Sequence, residues 1–580
     1  MSFRQRELCA GTALACQALN TFIPPLMAND VPGNALSKTL LDTFGHTSLR
    51  TGQQAVIDNV LKGCDTLALM PTGAGKSLCY QLPALHMAGS TLIVSPLLSL
   101  MKDQVDKLVQ AGVSALEVNS TLTARAERAA LEAIRGGGVE MVFTTPERLA
   151  DPKFLDILMR IKIDLFVIDE AHCISQWGHD FRPAFLEISN ALEALGSPPV
   201  LALTATATGQ VIEDIGRQLR RTLEVLNTGI YRANLHFRVV HTTNDEEKLE
   251  HTLRLVRAID GSGIIYTATV KNADAVYATL KDAGISVGLY HGRMRARDRE
   301  SMQDDFMADR CRIMVATNAF GLGIDKPDIR FVLHYQIPGT IEAYYQEAGR
   351  AGRDGDSAQC VLIYDLRDKR VQQFFLGGRY PTRDDILQLY AALGKLEAHT
   401  QPVTYAQIVE QTPGIGSNKL KVALKLMKDA GYLREERSLG YRVVDGEVEL
   451  EALGHLAHDY GKKSEADREK LERMMFYAQT AFCRWKVLLE YFEGTEDFDR
   501  CGACDNCLDP PELRPVAKTV RPRWARRLLP ATATPFKAGD NVRVPRYGAG
   551  RVESATSEQV EIVFPSGTRR HFLCAYVEPA

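Results

Sequence analysis

"LALMPTGAGKSLCY", Leu67 to Tyr80, leads a short apolar segment into two closely spaced glycines, a lysine and a serine. Asp65 to Met70 reads as a buried parallel strand, and "SLCYQLPALHM" from Ser77 onward spaces its apolar residues as a helix does. Strand, glycine-containing turn and helix together aim backbone N–H groups at a phosphate. Here Gly73 and Gly75 permit close backbone approach, Lys76 neutralises terminal phosphates, and the Ser77 hydroxyl holds Mg²⁺. Pro71, Thr72, Gly73, Ala74, Gly75, Lys76 and Ser77 are thus the candidate ATP-binding loop, with Met70 where the general pattern has a glycine.

A second apolar strand, Leu165 to Ile168 in "IDLFVIDEAH", runs directly into Asp169 and Glu170. A carboxylate at a strand end beside such a loop binds Mg²⁺, and its neighbour orients or deprotonates the attacking water. ATP hydrolysis through Lys76, Asp169 and Glu170 is the expected chemistry. In "SQWGHDFRP", Trp177, Phe181 and Arg182 follow that acidic pair at once. Aromatic faces stack on bases for about 1–3 kcal/mol each with little regard to sequence. A core role for the two rings is the alternative, but Gly178, His179, Asp180 and Pro183 are poor core neighbours. The reading favours a loop that reports bound nucleic acid to the hydrolytic carboxylates.

The whole chain bounds these readings. Its 580 residues exceed one core and suggest about three to five domains. No apolar run of about eighteen residues occurs, so no membrane span is expected. Net charge is −3, so any nucleic-acid site must carry local positive charge. Most of the 12 cysteines stand singly in apolar segments, as reduced thiols of a cytoplasmic protein do. The N-terminal "MSFRQRELCAGTALACQALNTF" lacks the dense apolar region of a signal peptide and reads as a tail, with Met27 a second candidate start. Cys483, Cys501, Cys504 and Cys507 cluster in "CRWKVLLEYFEGTEDFDRCGACDNC", with two C-x-x-C steps that fit a tetrahedral structural zinc. An iron–sulfur cluster also takes four cysteines. No ligand position remains for water, so no catalysis is assigned there.

"MPTGAGKS", "VSPLLSLMKDQ", "FTTPERL", "VIDEAHCISQWGHDFRP", "LALTATAT", "VATNAFGLGIDKPDIRFVLHY" and "YYQEAGRAGRDG" occur in that order. With them the chain resembles RecQ-type DNA helicases, over roughly Leu36 to Tyr364 and again from about Asp467 to Pro511. The resemblance implies two stacked RecA-like domains with ATP between them and Arg350 and Arg353 on phosphate, one of them as an arginine finger. It also implies that Arg50 and Gln53 read the adenine, although Thr51 stands where the family usually has proline. Ser95, Thr145, Arg148 and Thr317 would hold the DNA backbone, and the Thr204–Thr208 segment would link the domains through hydroxyl bonds. The likeness further implies a zinc site after the motor and 3′-to-5′ translocation on single-stranded DNA. Forked duplexes would be unwound in recombination and repair. An ATP-regulated DNA-binding or transcription-linked factor that does not unwind is the other reading. The aromatic loop and cysteine cluster argue against an RNA-directed enzyme.

Two stretches depart from that pattern. "TYAQIVEQTPGIGSNKLKVALKLMKDAGYLREERSLGYRVV" reads as helix, glycine turn, helix and two short strands, the order of a winged helix. Its second helix, Ser417 to Ala430, sets Leu420, Val422, Leu424 and Leu426 beside Lys419, Lys421, Lys425 and Lys428. That is a phosphate-binding face or an ordinary solvated one. After the basic linker "ELRPVAKTVRPRWARRLLPATATP", alternating apolar residues and turns suggest a five-stranded Tudor-like barrel, a candidate site for a protein partner. The fold expected is therefore α/β: a tail (1–33), RecA-like domains (34–228 and 229–368), a winged-helix-like insert (369–460), a zinc-binding helical subdomain (461–511), a linker (512–534) and a small β-barrel (535–580). Expected ligands are ATP, Mg²⁺, zinc and single-stranded and forked DNA, in a bacterial cytoplasm beside the nucleoid.

Overall fold

The computed structural model describes residues 34–175, 183–321, 324–377, 380–436, 440–444, 450–495, 497–510, 536–544, 548–555, 559–565, 569–573 and 577–579. Trp177, Phe181, Arg182, the expected tail and the expected linker lie outside them.

Seven parallel strands form the first sheet, in the order 115–118, 141–144, 90–94, 163–169, 200–204, 66–69, 224–227. Strands Thr66–Leu69, Ser90–Val94 and Val200–Thr204 are buried at every residue. Such continuous apolar strands suit a sheet covered by helices on both faces. Register then places the chemistry. Leu69 pairs with Thr204 and Asp169 with Leu203, so both strands end level on one sheet edge. Helix Leu78–Ala84 rises from the loop after Leu69.

A second parallel sheet has six strands in the order 287–290, 313–316, 262–266, 329–334, 358–364, 235–241. Its core does not stop at residue 368. Trp485, 1% exposed, stacks edge-on against Phe237 at 5.0 Å and Tyr231 at 4.9 Å. The indole N–H of Trp485 donates to the Leu235 carbonyl (3.3 Å), and Asp505 accepts from the Val239 N–H (2.8 Å). Motor strands and the helix Arg484–Glu493, which Cys483 caps, thus share one apolar cluster. The zinc-binding stretch, expected as a subdomain of its own, is packed as part of the second motor domain.

Between them lies the insert. Helix Arg383–Lys395, strand Val403–Thr404, helices Tyr405–Gln411 and Ser417–Asp429, and strands Leu433–Glu435 and Gly440–Val443 follow in winged-helix order. The three strands form one antiparallel sheet. The first helix and strand were absent from the sequence reading. Thr382 and Asp385 close a capping box that starts that helix. The face of the later helix is also rotated: Leu420, Ala423, Leu424 and Met427 are in the core, whereas Val422 and Leu426 are only half-buried. Helix Leu450–Gln479 packs on Arg383–Lys395 and crosses the boundary expected at 460/461.

Residues 511–580 form a separate unit. Its described strands, 569–573, 559–563, 548–555, 541–544 and 578–579, make one antiparallel sheet over Val542, Val544, Val552, Val560, Ile562 and Phe564.

Trp485→Ala should cost the second motor domain about 3–5 kcal/mol of unfolding free energy, the usual range for deleting a buried tryptophan. Denaturant unfolding checks this, and a loss below about 1 kcal/mol contradicts the shared core.

Candidate active site

The turn after Leu69 needs its glycines. Gly73 and Gly75 have φ of 86° and 78°, a region that side chains with a Cβ rarely adopt. A Cβ on Gly75 would also sit 2.5 Å from the Gln53 amide nitrogen. Met70, where a glycine was looked for, is fully buried with its sulfur 3.7 Å from Cys79 Sγ, so the loop begins one residue later than that glycine would require. Lys76 Nζ lies 3.4 Å from the Met70 carbonyl. Gln53 donates to the Ala74 and Gly75 carbonyls (3.1 and 2.9 Å), and its own carbonyl accepts from the Arg50 N–H (2.7 Å). The Arg50 guanidinium donates to the Gly73 carbonyl. Both residues expected at the adenine therefore rest against the phosphate loop.

At the neighbouring strand end, burial and then the charge of Glu170 push the Asp169 carboxyl up to about 7, against the pull of Lys76. Glu170 has φ 53°, strained for a residue with a side chain, and such strain clusters at functional sites. Among the described residues its Oε2 has no hydrogen bond, and it lies 3.3 Å from His172 Nδ1. The Thr204 hydroxyl meets His172 (3.1 Å) and the Thr206 carbonyl (3.2 Å), so it is engaged within the first domain and not across to the second.

The second sheet supplies the facing wall. Helix Ile341–Ala348 ends in a turn carrying Arg350 and Arg353. Arg350 donates to the Gly321 carbonyl, and Arg353 Nη1 pairs with Asp325 at 2.7 Å. A Cβ on Gly73 would lie 3.1 Å from Arg353 Cγ, so the two domains meet at the phosphate loop. Burial, then the charge of Arg350, lowers the Arg353 pKa. Arg50, Gln53, Thr72, Gly73, Gly75, Lys76, Ser77, Asp169, Glu170, Arg350 and Arg353 all line one cleft of ≈ 600 Å³, a size typical of small-molecule sites. Buried Nε atoms of Arg350 and Arg353 find no acceptor among the described residues. Orphaned cationic donors facing a phosphate loop fit an absent polyanion.

The four cysteines also converge. Their sulfurs all lie within 4.8 Å of one another, with Cys501–Cys507 and Cys483–Cys504 at 3.9 Å. Zinc about 2.3 Å from each of four sulfurs needs spacings of about 3.8 Å, so the set fits a tetrahedral ion. Main-chain N–H groups of Cys501, Ala503, Cys504 and Arg484 point at sulfurs from 3.2 to 3.4 Å and favour thiolates. A hydrogen bond from Cys504, then main-chain N–H groups, hold the Cys483 thiol well below its ordinary range.

Known proteins share these features. Models for DEAD/DEAH box helicases, the helicase conserved C-terminal domain and RecQ zinc-binding match residues 50–215, 247–355 and 449–508. The chain is 38% identical over 469 residues to the ATP-dependent DNA helicase RecQ of Bacillus subtilis, covering 80% of this chain and 66% of that one. Over 478 residues it is 36% identical to the probable ATP-dependent DNA helicase RecS of the same organism, covering 81% and 92%. The chain belongs to the RecQ family of ATP-dependent DNA helicases. It spans less than two thirds of another member, RecQ of Pasteurella multocida, at 63% of that length. The helicase MrfA bound to DNA and AMPPNP, 18% identical with a TM-score of 0.51 over 73% of this chain and 64% of that one, shares the fold.

Within this RecQ-type motor the residues expected on the DNA backbone are placed less uniformly. Ser95 is buried, and its hydroxyl donates to Asp169 Oδ2 (3.3 Å). Arg148 is held by Asp151 at 2.6 Å and by Glu127, and Thr145 accepts from the Arg148 N–H (3.2 Å) as a helix cap. Two carboxylates on that guanidinium leave little of it for a phosphate. Thr317, 8% exposed, directly follows strand Ile313–Ala316 with its N–H on the Tyr290 carbonyl (3.2 Å). Sequence reasoning missed Asp325 and Lys107, which meet across the cleft at 3.6 Å. Asp325 stood inside a quoted motif, but nothing local marked it as the partner of Arg353.

Cys501→Ser should reduce bound zinc from about one ion per chain to near none and lower the melting temperature, because a structural site is a folding term. Metal analysis of the purified variant checks this, and full zinc occupancy there contradicts the assigned ligand set.

Proposed function

We propose that this chain binds MgATP in the cleft, moves 3′ to 5′ along single-stranded DNA and opens forked duplexes in recombination and repair. One observation carries the reading: phosphate loop, acidic pair and two arginines from the facing domain line a single cleft. In it Lys76 neutralises the β- and γ-phosphates, Glu170 positions the attacking water, and Arg353 and Arg350 stabilise charge on the transferring phosphoryl. Arg50 and Gln53 exchange their loop carbonyls for the adenine edge. Ser77 and Asp169 would hold Mg²⁺ there, the serine through its hydroxyl and the aspartate through its carboxylate. When bound, Mg²⁺ would supply charge neutralisation for the phosphate oxygens.

The winged-helix insert is proposed to grip duplex DNA ahead of the fork. Of its four candidate lysines, Lys419 is tied to Asp385 at 3.0 Å, whereas Lys421 and Lys425 lie one helical turn apart on the exposed side. Those two are the proposed phosphate contacts, and Trp177, Phe181, Arg182 and Thr317 the proposed single-strand contacts. A protein partner is proposed for the C-terminal sheet, and the bacterial nucleoid for the whole chain.

Strand displacement on 3′-tailed, 5′-tailed and blunt duplexes tests the reading. Only the 3′-tailed substrate should open, and Lys76→Ala should slow it about 10²-fold or more. Opening of the 5′-tailed duplex instead reverses the polarity; opening of none supports the DNA-binding factor that does not unwind. Changing Lys421 and Lys425 together to Gln should weaken duplex binding and reduce its salt slope by about two. Equal slopes for parent and variant remove the insert from the duplex.

A further inference from the structure

Arg232 lies in the segment joining the two motor sheets, between strands Glu224–Asn227 and Leu235–His241. Its guanidinium makes four hydrogen bonds, each to a main-chain carbonyl. Nη1 donates to Gly349 (2.7 Å) and Thr72 (3.3 Å), and Nη2 to Ala351 (2.8 Å) and Gly352 (2.5 Å). Asn234 adds bonds to the Gly352 and Asp356 carbonyls (2.8 and 2.9 Å). Three of the arginine's acceptors follow helix Ile341–Ala348 and belong to the turn that carries Arg350 and Arg353. The fourth belongs to the phosphate loop.

The chemistry suits arginine alone. Carbonyls at a helix C-terminus lack intrahelical partners and carry the negative end of the helix dipole. A planar fork of five N–H donors satisfies several at fixed angles, which one ammonium cannot do. A second observation says the turn and loop are meant to touch: a Cβ on Gly349 would meet Thr72 Cβ and Oγ1 at 3.3 Å. Glycine on the turn lets the Thr72 side chain pack closely against it, and Arg232 spans the seam.

We propose that Arg232 is a positioning residue: it fixes the main chain of Gly349–Gly352 and fastens that turn to the Thr72 carbonyl of the phosphate loop. Arg350 and Arg353 then reach the triphosphate from a preset geometry. The three bonds within the second domain persist as the cleft opens, and the single bond to Thr72 breaks. Arg232 thereby couples domain closure to assembly of the arginine pair. The inference rests on the ATPase reading above.

The test uses full-length Arg232→Lys, which keeps the charge, and Arg232→Ala, which opens a guanidinium-sized gap. Arg232→Lys should lower kcat about tenfold or more, as a small misplacement does, with KM for ATP changed less than about threefold. Amide exchange in residues 349–356 should quicken about tenfold. Millimolar guanidinium should restore part of the Arg232→Ala turnover. Three results overturn the proposal: Arg232→Lys turning over within about twofold of the parent, unaltered exchange in 349–356, or an Arg232→Ala defect that guanidinium leaves untouched. Should the parent itself hydrolyse no ATP, the ATPase reading fails, while the exchange measurement still decides whether Arg232 fixes the turn.

Discussion

Everything in the cleft depends on one close approach, the turn at Gly349–Arg353 lying against the loop at Thr72–Gly73. The fit there is tight: a Cβ on Gly349 would be 3.3 Å from the Thr72 side chain, and one on Gly73 would be 3.1 Å from Arg353 Cγ. The seam brings cationic groups into a space they would otherwise avoid. Buried guanidinium groups lose hydration, and Arg353 recovers part of it from Asp325 at 2.7 Å. In the proposed function a triphosphate between Lys76, Arg350 and Arg353 supplies the rest, which would make nucleotide binding and domain closure one electrostatic event.

The same economy of contacts joins zinc to motor. Trp485, Arg484 and Asp505 tie the helix that Cys483 caps and the cysteine-bearing loop to strand Leu235–His241, with Arg484 on Asp505 at 2.9 Å and Asp505 on the Val239 N–H at 2.8 Å. That strand follows directly from the segment bearing Arg232 and Asn234. A metal site built this way holds one edge of the second sheet, and loss of the metal acts on the motor through packing and not through chemistry at zinc.

How much was legible from residues alone follows from how far each function reaches along the chain. The phosphate loop, the Asp169–Glu170 pair and the four cysteines announce themselves because each is made by neighbours in sequence. Arg232 does not, nor do the bonds of Gln53 to the phosphate loop, since their acceptors are carbonyls, and carbonyls have no letter in a sequence. Asp325 likewise takes its meaning from Arg353, 28 residues away, and from Lys107 in the other domain. The bond from Ser95 to Asp169 was equally hidden, because 74 residues separate the two and only the fold brings them together. In the insert, Leu420 and Leu424 were placed on the core side correctly, but Val422 and Leu426 fall on the other side of the helix, and Ala423 and Met427 complete the buried face. The parallel sheets were the easiest part, being continuous apolar runs separated by helices.

The claim most exposed to refutation is that an arginine from the second domain completes the hydrolytic site of the first. Single-turnover hydrolysis by Arg353→Ala, with nucleotide affinity measured alongside, addresses it directly. The account predicts nucleotide binding close to the parent's and a hydrolysis step slowed about 10³-fold or more. Hydrolysis within about tenfold of the parent would mean that the first domain acts without its partner, and the account would be wrong.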